Sequence, residues 1–301
     1  MLEEGGLGLA MAVERRVRID LAPSEELSIE GIWPGGTLSW TPGQPSASPL
    51  IAAIVDEVEK WLREKGGRRR LQGARIRVDS SALFSSDGRK SGLGSSAAVT
   101  AGLVCALLNA AGCGPDPADP EVLALAIRAH RRSQGGSGSG YDVSCSFHGR
   151  MGVFHGGSVP RWEPCRLWED PVVRLFPGPF PVSTSEAIRR YALWKKSNPD
   201  DARRFLEDSN RGVRGFVGAR AAVEAEQHLR ACRELGVRLG RAIGVPAEIA
   251  APRGIDPARC KALGAGNELG ACILPAGSPP LLSGSEVQAV DAAQEGIVWE
   301  E

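Results

Sequence analysis

A glycine- and serine-rich segment that runs into a helix of small residues is the feature that most constrains this chain. It reads GRKSGLGSSAAVT over residues 88–100. Gly92 and Gly94 allow a tight turn and a close approach of the backbone to a ligand. Ser95 and Ser96 fall in the first turn of the predicted helix, where backbone N–H groups lack partners and the helix dipole favours an anion. With the positive charge of Lys90 beside it, the segment predicts a phosphate-binding loop.

The order of residues in this loop separates it from two common phosphate loops. Its lysine precedes the glycines, whereas GxxxxGK(S/T) has the lysine after them, and the dinucleotide fingerprint GxGxxG requires an acidic residue downstream. A plain helix start is the simpler interpretation, because glycine suits a turn and serine suits a cap. Such a start needs neither two spaced glycines nor a serine pair nor a lysine, so we expect a third kind of phosphate loop.

A second flexible loop ends in a carboxylate. The segment RRSQGGSGSGYD over residues 131–142 carries Ser137, Ser139 and Gly140 and closes on Asp142. A kinase that acts on a small alcohol or phosphate needs a carboxylate to orient or deprotonate the acceptor, or to balance the charges of Mg²⁺ and lysine. A solvated turn with a helix-capping aspartate is the alternative interpretation.

Both segments resemble motifs of the GHMP small-molecule kinases, the superfamily of galactokinase, homoserine kinase, mevalonate kinase and phosphomevalonate kinase. The first resembles that family's second motif, and AHRRSQGGSGSGYDVSCSFHG over residues 129–149 is most similar to bacterial phosphomevalonate kinases. The resemblance implies that Ser96 helps to hold Mg²⁺ and that Asp142 and Lys90 are the catalytic residues. It assigns the ATP phosphates to Gly92, Leu93, Gly94, Ser95, Ser96 and Ala97, and part of the acceptor site to Ser137, Ser139 and Gly140.

Two segments of the second half extend the resemblance. Pro177 to Ser185, PGPFPVSTS, resembles the GxPAST segment of phosphomevalonate kinases, which implies that Ser183 and Thr184 donate hydroxyl groups to the acceptor phosphate. Serine and threonine after prolines also make ordinary turns and helix caps.

The other segment, KALGAGNELG over residues 261–270, resembles the third GHMP motif. Gly264, Ala265 and Gly266 match that motif, whereas Leu263, Asn267 and Glu268 do not. A glutamate beside phosphates would repel them unless a metal or Lys261 intervenes.

The N-terminus departs from the family pattern. Residues 5–19, GGLGLAMAVERRVRI, resemble the part that follows the family's PGKxxxxGE turn, so the first strand and first motif are expected to be missing. The loss of a strand would leave an exposed sheet edge, and the loss of the motif's lysine would weaken catalysis.

Composition excludes several other classes of protein. The 36 Lys and Arg residues balance the 36 Asp and Glu residues, which argues against a nucleic-acid-binding stripe or a polybasic membrane arm. The arginine run at residues 68–70 predicts a solvated loop.

The seven cysteines are odd in number and lack CxxC spacing, which favours reduced thiols in a cytoplasmic protein over a disulfide framework or structural zinc. The apolar run 97–111 is too short to span a membrane and predicts a buried helix, and the acidic N-terminus argues against a signal peptide.

Hydrophobic periodicity predicts alternating strands and helices. Strands are expected within residues 7–19, at 76–78 and at 151–154, and helices over 50–62, from the phosphate loop to residue 111, and over 119–132. The region from residue 185 to 243 is expected to be helical with a break at Asn198-Pro199. Six prolines between residues 160 and 181 predict a domain boundary there.

We therefore expect an α+β protein with the GHMP kinase fold. The resemblance implies a ribosomal protein S5 domain 2-like α/β domain over residues 1–168, which binds ATP, and a ferredoxin-like domain over residues 169–301. The expected reaction is ATP- and Mg²⁺-dependent phosphorylation of 5-phosphomevalonate to 5-diphosphomevalonate on the mevalonate route to isoprenoids. The alternatives are mevalonate kinase, another GHMP kinase, the related ATP-dependent decarboxylase, and a degenerate fold that binds without turnover. The expected partners are a small-molecule substrate and a second copy in a homodimer, with neither nucleic acid nor membrane.

Overall fold

The chain divides into two compact units. The computed structural model describes residues 2–44, 48–66, 70–71, 73–84, 88, 90–180, 182–264, 266–278 and 288–300. The first unit comprises Ala10–Arg150 and Ala292–Glu301, and the second unit comprises Met1–Leu9 and Met151–Asp291. Within the expected run of three arginines, residues 68 and 69 lie outside the described residues.

The strands are β1 Leu7–Met11, β2 Arg18–Pro23, β3 Ser28–Trp33, β4 Gly36–Trp40, β5 Ala74–Asp79, β6 Met151–His155, β7 Arg161–Pro164, β8 Val172–Pro177, β9 Cys260–Ala262, β10 Leu269–Leu274 and β11 Gln288–Val290. The helices are α1 Pro49–Glu64, α2 Ser95–Ala110, α3 Pro120–Ser133, α4 Tyr141–His148, α5 Thr184–Ser197, α6 Pro199–Gly218 and α7 Ala222–Ile243. This mixture confirms the predicted α+β class.

The division between the units falls after Arg150 and not at the proline-rich stretch. Strand β6 is hydrogen-bonded to both β1 and β7, and these three strands form one sheet. Met151 also packs on a cluster that contains Trp168 and Phe216. Residues 151–168 therefore go with the second half of the chain, whereas the prolines predicted a boundary between residues 168 and 169. Pro164 ends β7 and Pro177 ends β8, both inside the second unit.

The first unit packs its helices against a four-stranded sheet. The strand order is β2-β5-β3-β4, with β3 and β5 parallel and the other pairs antiparallel. The predicted helices are confirmed together with their caps: Ser48 accepts a hydrogen bond from the Ile51 N–H, and Asp119 accepts one from the Glu121 N–H. Gly102 allows α2 to approach the sheet, since a Cβ there would lie 2.7 Å from the Ile19 side chain.

Helix α2 forms the centre of the first unit's core. Its side chains at positions 103, 104, 107 and 108 are fully buried, and they pack with the apolar faces of α1, α3 and β5. This burial explains why α2 is apolar nearly all round and confirms the predicted buried helix. The core therefore holds the N-terminus of α2, and the glycine loop before it, on a rigid support.

In its described residues, the second unit contains a four-stranded antiparallel sheet and the three helices α5, α6 and α7. The strand order is β11-β8-β10-β9. The predicted helical region is confirmed with its break at Asn198-Pro199, and a second, unexpected break separates α6 from α7 at residues 219–221. In the described part of the chain, no helix has both the length and the apolarity that a membrane span requires.

Candidate active site

The first glycine loop has the left-handed glycine conformations that a tight turn requires. Gly92 and Gly94 have φ values of 72° and 77°, in the left-handed region that favours glycine. Gly94 is the N-cap of α2, followed by Ser95, Ser96 and the buried Ala97. Gly94 has no side chain with which to cap this turn, and its carbonyl accepts the Ala97 and Ala98 N–H groups at 3.0 and 3.1 Å. The N-terminal N–H groups of a helix and its dipole favour an anion, and α2 is 16 residues long.

Lys90 is exposed and precedes Gly92 by two residues. Its backbone forms an isolated antiparallel bridge with Phe84, and the Ser91 N–H donates to the Leu83 carbonyl at 3.1 Å. Across the residues that the structure describes, no carboxylate forms an ion pair with the Lys90 ammonium, and the pairing with Asp142 that the sequence allowed is absent.

The second glycine loop leads into α4 and places Asp142 in that helix's first turn. Gly140 has φ 85°, and a Cβ on it would lie 2.8 Å from Cγ2 of Ile127, so this position accepts only glycine without rearrangement. Asp142 Oδ1 accepts the Val143 N–H at 2.9 Å, and its side chain is 28% exposed. A Cβ on Gly94 would lie 3.9 Å from Cβ of Asp142, so the two glycine loops meet.

Arg131 holds the second loop in place. Its Nε donates to the Gly138 carbonyl at 2.6 Å and its Nη2 donates to the Ser139 carbonyl at 3.0 Å. The serine side chains also serve the loop: the Ser137 hydroxyl donates to the Gln134 carbonyl at 3.4 Å, and Ser139 Oγ accepts the Tyr141 N–H at 3.4 Å. The loop is thus preorganised by its own contacts.

His130, which the sequence interpretation did not single out, lies between the two loops. Its side chain is 3% exposed. Its Nε2 lies 3.1 Å from Ser96 Oγ and 3.3 Å from Gln134 Nε2, and its Nδ1 lies 3.9 Å from Asp142 Oδ1. Burial lowers the pKa of His130, and the opposing effect of Asp142 is smaller. A polar residue on the apolar face of α3, next to a glycine loop, was the signal that could have revealed it.

The oxygen donors at this place suit a cation that arrives with a nucleotide. Within the described ranges, no three His, Cys, Asp or Glu side chains come together as a metal site. Mg²⁺ in phosphoryl-transfer sites is held by one or two protein oxygens together with substrate phosphates and waters. The Ser96 hydroxyl, in the first turn of α2, is an oxygen donor that fits this role, and the Asp142 carboxylate lies on the other side of the His130 imidazole.

The remaining predicted residues lie in the second unit. Ser183 is the N-cap of α5, where its Oγ accepts the Glu186 N–H at 3.3 Å, and Thr184 is the first residue of that helix. Both side chains are exposed. The structure thus gives Ser183 the capping role that the alternative interpretation described.

The third glycine loop packs against the segment that carries Ser183. A Cβ on the buried Gly266 would lie 2.7 Å from Cγ2 of Val182, and the Gly178 N–H donates to the Glu268 carbonyl at 2.7 Å. Gly264 is exposed with φ 64°, and Ala265 lies outside the described residues. The Lys261 ammonium donates to the Ala262 carbonyl at 2.8 Å, and burial lowers its pKa. Glu268 is exposed, and no ion pair joins it to Lys261 among the described residues.

The predicted site residues therefore form two groups. The first unit brings together the residues of both glycine loops: Lys90, Gly92, Leu93, Gly94, Ser95, Ser96, Ala97, Ser137, Ser139, Gly140 and Asp142. The second unit brings together Ser183 and Thr184 with the segment that Gly264 and Gly266 belong to.

Comparison with known proteins gives a family match over part of the chain and several structures with a similar fold. Residues 50–150 match the model of the GHMP kinases N terminal domain, a range that contains both glycine loops and His130. No curated protein sequence is similar enough to this chain to count as a match.

Several solved structures share the fold. The Lin0012 protein from Listeria innocua has a TM-score of 0.76 and 20% identity, over 91% of this chain and 86% of that chain. Phosphomevalonate kinase from Streptococcus pneumoniae, solved with phosphomevalonate and AMPPNP, has a TM-score of 0.73 and 17% identity, over 91% and 87%. Mevalonate kinase from L. major, solved with R-mevalonate, has a TM-score of 0.59 and 15% identity, over 91% and 82%.

Proposed function

We propose that this chain, whose residues 50–150 match the GHMP kinases N terminal domain, transfers the γ-phosphoryl group of ATP to a small-molecule acceptor. The observation that carries the proposal is the meeting of the two glycine loops, where Gly94 at the start of α2 lies against Asp142. A phosphate-binding turn beside a carboxylate is what phosphoryl transfer requires of a protein.

The first-unit residues have two roles: some bind the nucleotide and its cation, and others neutralise charge. The N–H groups at the start of α2 bind the triphosphate, Ser96 Oγ holds the cation, and Asp142 balances its charge. Mg²⁺, when bound with the nucleotide, neutralises charge on the phosphates. Lys90, exposed and without a described ion-pair partner, neutralises the charge that develops on the transferred group. Gly140 and Arg131 keep Asp142 in position.

We propose 5-phosphomevalonate as the acceptor. The support is the resemblance of residues 129–149 to bacterial phosphomevalonate kinases and the fold shared with a phosphomevalonate kinase solved with that substrate. An oxygen of the acceptor phosphate forms a bond to the γ-phosphorus while the bond to the β,γ-bridging oxygen breaks, which yields ADP and 5-diphosphomevalonate. Because the attacking oxygen is already anionic, charge neutralisation by Lys90 contributes more than proton removal.

The second-unit residues are proposed to bind the acceptor. A hydroxyl group can accept and donate at once, so Ser183 can cap α5 and still donate its own hydrogen to a phosphate. Thr184 adds a second hydroxyl at the same helix start, and Gly264 and Gly266 shape the neighbouring loop. We further propose that the protein works in the cytoplasm and forms a homodimer.

Mevalonate is the second candidate acceptor. The fold shared with mevalonate kinase and the partly exposed Asp142 carboxylate favour it. Mevalonate presents an alcohol, which must lose a proton as it attacks, and Asp142 would then act as a general base.

ADP release by the purified chain tests the proposal. The chain is incubated with ATP and Mg²⁺ and with phosphomevalonate, mevalonate or no acceptor, and the product is identified by its mass. We expect ADP only when phosphomevalonate is present. Turnover with mevalonate alone would change the acceptor, CO₂ release would indicate the decarboxylase, and the absence of turnover with both would overturn the kinase assignment in favour of a fold that binds without turnover.

A further inference from the structure

A single buried imidazole links the two glycine loops of the first unit. His130 is the described side chain that approaches both Ser96, in the first turn of α2, and Asp142, in the first turn of α4. His130 belongs to α3. The next residue of that helix, Arg131, donates hydrogen bonds to the carbonyls of Gly138 and Ser139 in the second glycine loop. The imidazole therefore has one ring nitrogen toward each of the two oxygen donors.

The polar groups around the ring determine which nitrogen carries the hydrogen. A carboxylate can only accept, so the hydrogen of a neutral imidazole is assigned to Nδ1, which faces Asp142 Oδ1 at 3.9 Å. Nε2 then carries a single lone pair. Ser96 Oγ, at 3.1 Å, is nearer to this nitrogen than Gln134 Nε2, at 3.3 Å, and we assign the hydrogen bond to the Ser96 hydroxyl.

This arrangement settles what the Ser96 hydroxyl can do. With its hydrogen committed to His130, the hydroxyl presents only lone pairs to a ligand. Lone pairs bind a cation and cannot donate to a phosphate oxygen. The phosphates are then left to the N–H groups of α2, and the hydroxyl is reserved for the cation.

We propose that His130 is a positioning residue that makes Ser96 a cation ligand: it accepts the serine hydroxyl hydrogen at Nε2 and directs its Nδ1–H toward Asp142. This inference rests on the proposed function, because it assumes that a metal–nucleotide complex binds at the first loop. Groups that orient a metal ligand in this way typically change metal affinity or activity by about 10- to 100-fold.

The inference predicts a selective loss of the metal-dependent part of nucleotide binding. ADP affinity is measured by calorimetry with Mg²⁺ and with EDTA. The dissociation constant in EDTA divided by that in Mg²⁺, called the magnesium enhancement, is compared among variants. In His130→Leu, which keeps bulk and removes the acceptor, we expect the magnesium enhancement to fall about ten-fold while the affinity in EDTA is unchanged.

Two conservative variants separate the two sides of the ring. His130→Gln reaches the position of Nε2 with an amide oxygen and is expected to restore the enhancement. His130→Asn ends near the position of Nδ1 and is expected not to restore it. If His130→Leu fails to fold, this pair decides the matter, because equal enhancement in both amide variants would overturn the inference.

Leu125→Ala is the matched structural control. Leu125 is fully buried in the same helix α3 and lacks polar atoms. It is expected to lower thermal stability and to keep the magnesium enhancement. Three results would each overturn the role of His130. They are loss of the enhancement in Leu125→Ala, retention of the enhancement in His130→Leu, and an equal loss of ADP affinity with and without Mg²⁺ in His130→Leu.

The binding measurement is independent of turnover. A wild-type chain that binds ADP with a magnesium enhancement, shows the pattern above in its variants and releases no ADP with either acceptor would support the His130 role and overturn the proposed function. Turnover without the pattern would support the function and overturn the inference.

Discussion

The two groups of candidate residues differ in how firmly the fold holds them. In the first unit, Asp142 is placed by a glycine packed on Ile127, by the Arg131 contacts and by a buried histidine. In the second unit, Ser183 and Thr184 are exposed at the start of α5, and their main described contact is a helix cap. If the first group binds the nucleotide and the second binds the acceptor, as proposed, the nucleotide-binding residues are preorganised, whereas the acceptor-binding residues are a few surface hydroxyls.

Removal of the Lys90 charge is expected to have the largest effect. In Lys90→Met, kcat/KM should fall about 100- to 1,000-fold, since a preorganised group that neutralises transition-state charge is typically worth that much. The free energy of unfolding should not change, because Lys90 is exposed and has no ion-pair partner among the described residues. Lys90→Arg keeps the charge and serves as the control. Parallel losses of activity and stability in Lys90→Met would contradict this role.

Disturbing the support of Asp142 is expected to reduce both activity and stability. Gly140→Ala puts a Cβ into the left-handed region, which costs about 1–3 kcal/mol, and forces it against Ile127. Gly136 has a similar φ of 89° but open space around it. Gly136→Ala therefore isolates the backbone strain, and chemical denaturation should show the larger loss in Gly140→Ala. Equal losses of stability and activity in the two variants would show that the Ile127 contact does not position Asp142.

On the acceptor side, a change at the third loop is expected to affect substrate affinity. A Cβ in Gly266→Ala would press on Val182, and overpacking of this kind costs about 1–3 kcal/mol. We expect KM for phosphomevalonate to rise while KM for ATP is unchanged. Gly236→Ala, in α7 with open space around it, is the control in the same unit. A rise in KM for ATP alone would contradict the assignment of this loop to the acceptor.

The smallest expected effect separates the two roles of Ser183. Ser183→Ala should lower the free energy of unfolding by about 1 kcal/mol through the loss of the cap. Ser183→Asp should keep the cap and raise KM for phosphomevalonate through repulsion of its phosphate. Steady-state kinetics and urea denaturation of both variants measure the two effects. An unchanged KM in Ser183→Asp would leave this serine with a structural role only.

Local sequence signals predicted much of the first unit. The caps at Ser48 and Asp119, the left-handed glycines and the apolar run of α2 depend on residues close together in the chain, so their elements were confirmed. The strands β3 and β4 were not expected. Their exposure does not follow a regular alternation, and tertiary pairing with β5 decides their conformation.

The contacts that organise the candidate site depend on tertiary structure and could not be predicted. His130 gains its partners only because α3 brings it to Ser96 on one side and Asp142 on the other, across 34 residues of sequence in the first case. The division after Arg150 likewise follows from the pairing of β6 with β1, which lies at the opposite end of the first half. The acceptor and the residue roles at both groups remain predictions.

Phosphorus NMR of a single reaction tests the central claim most directly. The purified chain is mixed with ATP, Mg²⁺ and phosphomevalonate, and the phosphorus signals are followed in time. The proposed function predicts that the acceptor's phosphomonoester signal is replaced by the paired signals of a diphosphate as ADP accumulates. A phosphomonoester signal that persists while ATP is unchanged, or while ATP yields only ADP and inorganic phosphate, would contradict it.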